Sequence, residues 1–180
     1  LIREGSFDGV LDITTTELAD DLCEGICSAG PTRLTAASEV GVPQVVVPGC
    51  LDMVNFAHLD TVPDQYKQRQ LYSWAPDVTL MRTNVDENQI LGRRLAERVS
   101  QSKSPASVIL PLRGISQVDS EGGIFYEPDT DAALFNAIKL NSLRHVEVIE
   151  ADMHINDPAF ADVLVQTLLG LLRKKQTSNI

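Results

Sequence analysis

The side chains of this sequence that can do chemistry sit in short polar stretches, each placed where an apolar run ends. Asp12 is followed by Thr14, Thr15 and Thr16; Cys50, Asp52 and Asn55 follow a compact apolar run; Arg82 and the pair Arg113-Gly114 close two more; Asp152, His154 and Asn156 close the last. Arg82 and Arg113 offer planar guanidinium forks that match a phosphate or carboxylate. Threonine hydroxyls and the free N–H groups of helix N-termini suit the same anion. The set points to a small anionic ligand. A plainer reading stands beside it, in which Thr14 only caps a helix and each arginine only pairs with an acid of this acidic chain. His154 is the candidate general acid–base, because imidazole titrates near neutrality; a histidine hydrogen-bonded into its loop is the competing reading. Asp52, Asp152 and His154 could hold a hard cation such as Mg²⁺ or share a proton, but no motif sets a ligand spacing and no protein-built metal site is assigned. Cys23, Cys27 and Cys50 lack a fourth ligand for zinc and read as small apolar packing. No Gly-x-Ser-x-Gly elbow, P-loop or Gly-x-Gly-x-x-Gly fingerprint is present.

The elements that must position these residues alternate along the chain. Phe7 to Ile13 reads as a strand, followed by Thr14 as N-cap with Glu17 three residues on, and Leu18, Leu22 and Ile26 at helical spacing. Gly30-Pro31 starts a short helix that Gly41 ends, and Gln44 to Val47 is an apolar strand. Cys50 to Gln70 has no clear period and reads as a long loop; a strand follows at Leu71 to Trp74. Thr83 with Asp86 opens a helix that buries Leu91, Leu95 and Val99. Ser107 to Leu110 is a strand, Ile115 to Pro128 a second long loop, and Asp129 or Thr130 caps the next helix. Val146 to Ile149 is the last strand, and Asp157-Pro158 starts a helix whose apolar face includes Phe160, Leu164, Leu168 and Leu171. This alternation predicts an α/β fold: a doubly wound, mostly parallel sheet with helices on both faces, a Rossmann-like three-layer sandwich. Ligands of such sheets bind outside the carboxyl ends of the strands, where the polar stretches gather.

At 180 residues the chain reads as a single α/β domain over 1–180. Fifteen Lys+Arg against 25 Asp+Glu leave a formal charge of −10, a field that repels nucleic-acid and anionic-membrane surfaces while leaving room for a local anion pocket. No apolar run reaches the roughly 20 residues that cross a bilayer. An odd count of three cysteines fits a reducing compartment, so the expected location is cytoplasmic. Leu1-Ile2-Arg3-Glu4-Gly5 reads as the end of a helix stopped by glycine, which suggests a domain or fragment cut from a longer polypeptide and truncated at its N-terminus.

Several strings resemble one family. They are Phe7 to Asp20, Ser28-Ala29-Gly30-Pro31, Pro48 to Phe56, Leu80-Met81-Arg82-Thr83, Leu110 to Ser116, and His154 to Ala161. In this order, over nearly the whole chain, they resemble the second half of the uncharacterised bacterial and fungal proteins grouped with the ATP-binding domain of the plant tobamovirus-resistance inhibitor. The resemblance implies a protein of two α/β halves, a nucleotide-type ligand such as ATP, with Mg²⁺ as its companion, and no established reaction. Carried onto this sequence, it implies Thr14, Thr15, Thr16, Gly30, Asn55, Arg82, Arg113, Gly114 and Asn156 as ligand-binding residues, with His154 and Asp52 as candidates for catalysis. It also implies that the N-terminal domain is a partner completing the site, and that an edge left open without it favours a homo-oligomer. Three functions follow: a nucleotide-binding domain, an enzyme acting on a small phosphorylated or carboxylated metabolite, and a protein-interaction module.

Overall fold

Two apolar hexapeptides form the centre of the molecule. In the computed structural model, which describes residues 1–178, β2 (Gln44–Gly49) and β6 (Ala106–Pro111) are buried at every position. Strands covered on both faces need apolar side chains throughout, which explains their continuous rather than alternating pattern. They pair in parallel with each other, β2 with β1 (Val10–Thr14), and β6 with β7 (Val146–Ala151), giving a four-stranded parallel sheet in the order β1-β2-β6-β7. The doubly wound α/β expectation holds.

Side chains alternate across these strands into two cores. Val46, Val108 and Leu110 face Leu91, Leu95 and Val99 of α3 (Val85–Ser100) and Leu134 and Ile138 of α4 (Pro128–Asn141), with Leu18 of α1 (Glu17–Cys23) in the same cluster. Leu34, just before α2 (Thr35–Val40), joins them. Val45, Val47 and Ile109 face the other way, onto Phe160, Leu164 and Leu171 of α5 (Pro158–Ser178). Four helices therefore lie on one face and α5 on the other. No helix among the described residues is long and apolar enough to cross a membrane.

The stretch expected as a loop after β2 holds a strand, β3 (Met53–Phe56), and a further strand, β5 (Val78–Arg82), was not expected at all. With β4 (Leu71–Ala75) they make a separate antiparallel sheet in the order β3-β5-β4. One face, carrying Val54, Phe56, Leu71 and Met81, joins the main core; the other carries Met53, Tyr72, Val78 and Leu80 against Val118 and Phe125 of the loop after β6.

Several boundaries also move. Thr14 ends β1 rather than capping a helix; Thr16 precedes α1 without a side-chain cap bond, and α1 stops at Cys23 because Glu24 turns left-handed (φ 61°). The helix expected at Pro31 begins only at Thr35. In α3 the capping box belongs to Asn84 and Glu87, not Thr83 and Asp86, since the Thr83 hydroxyl turns inward to the Leu51 carbonyl at 2.8 Å. In α4 Pro128 takes the first turn, one residue before the expected cap.

Glycine governs how closely α3 and α4 approach. A Cβ on Gly92 would lie 2.6 Å from the Leu134 carbonyl oxygen and 2.7 Å from the Ala137 Cβ, whereas one on Gly170 of α5 would meet nothing within 4 Å. Gly92→Ala is expected to lose about 1–3 kcal/mol by overpacking in spite of its better helix propensity. Gly170→Ala is expected to gain about 0.5–1 kcal/mol from propensity alone. Urea unfolding of the two variants checks both signs, and a stabilised Gly92→Ala would refute the close packing.

Candidate functional site

Thr14, Gly49, Pro111 and Ala151 end the four parallel strands, so the segments that follow them form one rim. On the β1 side, Thr14 is exposed and its carbonyl accepts a hydrogen bond from Arg33 Nη2 at 3.1 Å. The same guanidinium pairs with Asp12 at 2.6 Å and Glu17 at 3.2 Å, and the Asp12 bonds hold its pKa above the ordinary arginine value. Arg33 was not among the residues picked from sequence. Thr15 is buried, its hydroxyl donating to the Val47 carbonyl at 3.2 Å. Thr16 Oγ1 accepts from Asn55 Nδ2 at 3.0 Å, and Asn55 Nδ2 also donates to Asp20 at 2.8 Å. Asp20 is fully buried, and this burial raises its pKa although the Asn55 side-chain and backbone N–H bonds oppose the rise. Gly30 stands in a left-handed turn (φ 76°) with open space around it.

On the β6 side the picked residues converge on a single loop, 112–127. His154 Nδ1 accepts the Asn156 N–H at 3.1 Å, so Nε2 carries the ring proton and faces the carbonyl oxygens of Ser116 and Asp119 at 3.0 and 3.2 Å. Gly114 (φ 132°) allows the backbone to close there, since a Cβ would lie 1.9 Å from the Asp119 carbonyl oxygen and 2.6 Å from the His154 ring. Asp52 is fully buried and accepts the Ser116 hydroxyl at 2.7 Å, while Ser116 Oγ in turn accepts the N–H groups of Val118 and Asp119. Asp119 accepts the Ile115 N–H at 2.8 Å. Arg82 is buried too: Nη2 pairs with Asp131 at 2.6 Å and Nε donates to the Phe125 carbonyl at 2.9 Å. Burial pushes Asp52 up to about 6 and Asp131 up to about 7, against the opposing pull of Arg82.

Asp52, Arg82, Gly114 and His154 thus gather around one loop, where their polar atoms face into the protein and fasten it. Arg113 alone of the two chosen arginines stands outside, in an exposed bidentate pair with Asp152 at 2.7 and 2.8 Å that holds the Asp152 carboxyl below its usual range. Asn156 is exposed, and its backbone N–H is spent on His154 Nδ1. Asp52 is too enclosed to serve a cation that keeps its waters. Among the described residues, no three His, Cys, Asp or Glu side chains are grouped to hold a metal ion.

Between the small sheet and this loop lies an open cavity of about 450 Å³, bordered by Cys50, Met53, Asn55, Trp74, Leu80 and Val118. Its size falls in the range of small-molecule pockets, about 300–1,000 Å³. Asn55 joins it to Thr16 and hence to the β1 turn. Burial pushes the Cys50 thiol up to about 12, so it is no thiolate nucleophile at neutral pH.

The profile of the family described as "Uncharacterised protein family (UPF0261) C-terminal domain" matches residues 1–172. The chain belongs to this family. A UPF0261 protein of Clostridium tetani is 44% identical over 175 residues, covering 97% of this chain and 43% of the relative. One of Rhizobium meliloti is 41% identical over 167 residues, covering 92% of this chain and 42% of the relative. The ToMV resistance protein Tm-1(GCR237) of Solanum lycopersicum is 36% identical over 178 residues, covering 98% of this chain and 24% of the relative. The UPF0261 C-terminal domain described here spans less than half the length of these curated relatives.

Two measurements follow from the anchored loop. Because the folded-state pKa of Asp52 is raised from 3.8 to about 6, the fold holds a proton there that the unfolded chain has released. The stability this group contributes is therefore full below about pH 4 and is lost progressively between about pH 4 and pH 7, on the order of 3 kcal/mol in all with about 1 kcal/mol of it remaining to be lost above pH 5.5. Urea midpoints are expected to be higher at pH 5.5 than at pH 8, with a flatter profile in Asp52→Asn; equal slopes would show that Asp52 ionises without cost. His154→Ala is expected to lose about 1–3 kcal/mol, since two loop carbonyls lose their donor. An unchanged unfolding midpoint would remove His154 from the anchor.

Proposed function

We propose that this UPF0261 C-terminal domain carries part of a nucleotide-binding site, with ATP as the leading ligand, at the carboxyl rim of its parallel sheet. A nucleotide is a flat ring joined to a polyanion, so it needs an apolar recess beside a cationic, hydroxyl-bearing edge. The observation that carries the reading is the Asn55 bridge, which sets the recess directly beside Thr16, two residues from the Thr14 carbonyl where Arg33 is held. Ligand position at the C-terminal strand ends is also the rule for open α/β sheets.

Roles divide accordingly. Thr14 on one side and Arg113 on the other are the groups this chain offers to phosphate oxygens, with Arg33 a fixed charge beside Thr14; Thr15, Arg82 and His154 hold the walls. Mg²⁺ would arrive on the polyphosphate and neutralise part of its charge, and no residue here is assigned to it. The remainder of the longer relatives, more than half of their length, is the proposed source of the other wall.

Calorimetry of the chain with Mg-ATP and with Mg-tripolyphosphate tests the reading. Heat is expected with both, and Arg113→Gln is expected to weaken each by about tenfold, the scale of one charge-assisted contact, without moving the unfolding midpoint. Absence of heat with either polyphosphate ligand would overturn it.

A further inference from the structure

We infer that the cavity against the small antiparallel sheet binds a flat, uncharged heteroaromatic ring, stacked on Trp74 and held against Met53, Val78, Leu80 and Val118. This rests on the nucleotide reading only in making that ring the base; the cavity's own features carry it otherwise.

Trp74 is the single tryptophan of the chain, and it stays 48% exposed on the lip of the cavity. It lies where the β4–β5 register slips, between Ser73 paired with Thr79 and Ala75 paired with Val78. An irregularity of this kind re-aims a side chain. Among the described residues its one ring neighbour is Tyr72, set edge-on at 73° and 6.2 Å, with Phe125 edge-on to Tyr72 behind it at 77° and 6.3 Å. The indole is therefore steadied by edge contacts while no ring stacks upon it. Offset stacking with a ligand ring is the contact such an aromatic lacks.

The rest of the cavity selects against charge. Its walls are the thioether of Met53 and the aliphatic groups of Val78, Leu80 and Val118. The donors at its edge are already committed, Asn55 Nδ2 to Asp20 and Thr16 and the Ser116 hydroxyl to Asp52, which leaves the exposed Gln117 side chain for hydrogen bonds to a ring edge. The fields of Asp52 and Glu17 at Cys50, and of Asp20 and Glu17 at Cys27, add to burial in raising both cavity thiols, which marks the recess as electronegative. A phosphate is repelled there and stays at the arginine-bearing edge; a neutral ring enters without that penalty.

Adenosine, which has the ring without the phosphates, separates this inference from the nucleotide reading. Adenosine is expected to quench Trp74 fluorescence saturably and to slow modification of Cys27 by an uncharged maleimide at least fivefold, while tripolyphosphate does neither. By calorimetry, Trp74→Phe is expected to keep adenosine affinity within about threefold, since it preserves an aromatic face, and Trp74→Ala to lose at least tenfold, with unfolding midpoints unchanged in both. No quench and no protection at millimolar adenosine would overturn the ring site, and tripolyphosphate binding in the same preparation would leave the nucleotide reading standing. Adenosine binding without tripolyphosphate binding would support the ring site and overturn the phosphate edge. Full affinity in Trp74→Ala would overturn stacking.

Discussion

Loop 112–127 is fastened largely from beneath, by buried polar groups, and the candidate site depends on that fastening. Two carboxylates, Asp52 and Asp131, lie in the interior under it with one guanidinium, Arg82, and the loop turns a third carboxylate, its own Asp119, inward onto them. One positive charge does not offset three negative ones in a medium of low polarity, and burial accordingly raises Asp52 and Asp131 toward neutrality. Among the described residues Asp52 Oδ1 is buried without a hydrogen-bond partner, so the network is held together at some cost. Breaking a buried pair by removing one member strands the other charge, a loss of about 3–5 kcal/mol in comparable pairs. The loop is therefore rigidly specified although only Ile115, Val118 and Phe125 bring large apolar groups into the cores beneath it. Because Ser116 and Val118 form one wall of the cavity, the same network shapes the recess.

Four of the residues singled out by type and position, Asp52, Arg82, Gly114 and His154, perform this fastening. Sequence shows that a histidine, an arginine and an aspartate follow apolar runs; it does not show which way each side chain turns. Arg82 shares its face of β5 with Leu80, and that face lies under Val118 and Phe125, so the guanidinium meets Asp131 and a carbonyl rather than solvent. Arg33 stayed hidden for the opposite reason. It lies outside any strand end, and a left-handed Leu34 (φ 74°) follows it in a turn that no local pattern announces. Trp74, Cys27 and Gln117 come from three separate segments, and only the folded chain brings them to one cavity.

The parallel sheet was legible because strands buried on both faces write themselves as unbroken apolar runs, as in β2 and β6. The small sheet was not. β3 is only four residues long and borders the polar Cys50–Asp52 turn, and its partner β5 lies beyond β4 in sequence, so no hairpin signal links them. At Thr83-Asn84, where two capping residue types stand side by side, the helix cap moved by one residue. There the tertiary partner of Thr83, the Leu51 carbonyl, decided between them.

The proposed anion edge also has to work inside an acidic molecule. Both rim arginines already have carboxylate partners, so an incoming phosphate competes with them. Arg33 is held by Asp12, Glu17 and a backbone carbonyl, with only a sixth of its side chain exposed, and surrendering those bonds would strand two acids. Arg113 and Asp152 are exposed on both sides, and such pairs add little stability because water and salt screen them. Exchange of Asp152 for a phosphate at Arg113 therefore costs the fold little, while Arg33 serves best as a fixed charge that keeps the Thr14 carbonyl in place. Binding at this edge should weaken steeply with salt, and the ring in the shielded cavity should not. The two halves of one ligand would thus answer to different physical forces, hydrophobic contact for one and screened Coulomb attraction for the other.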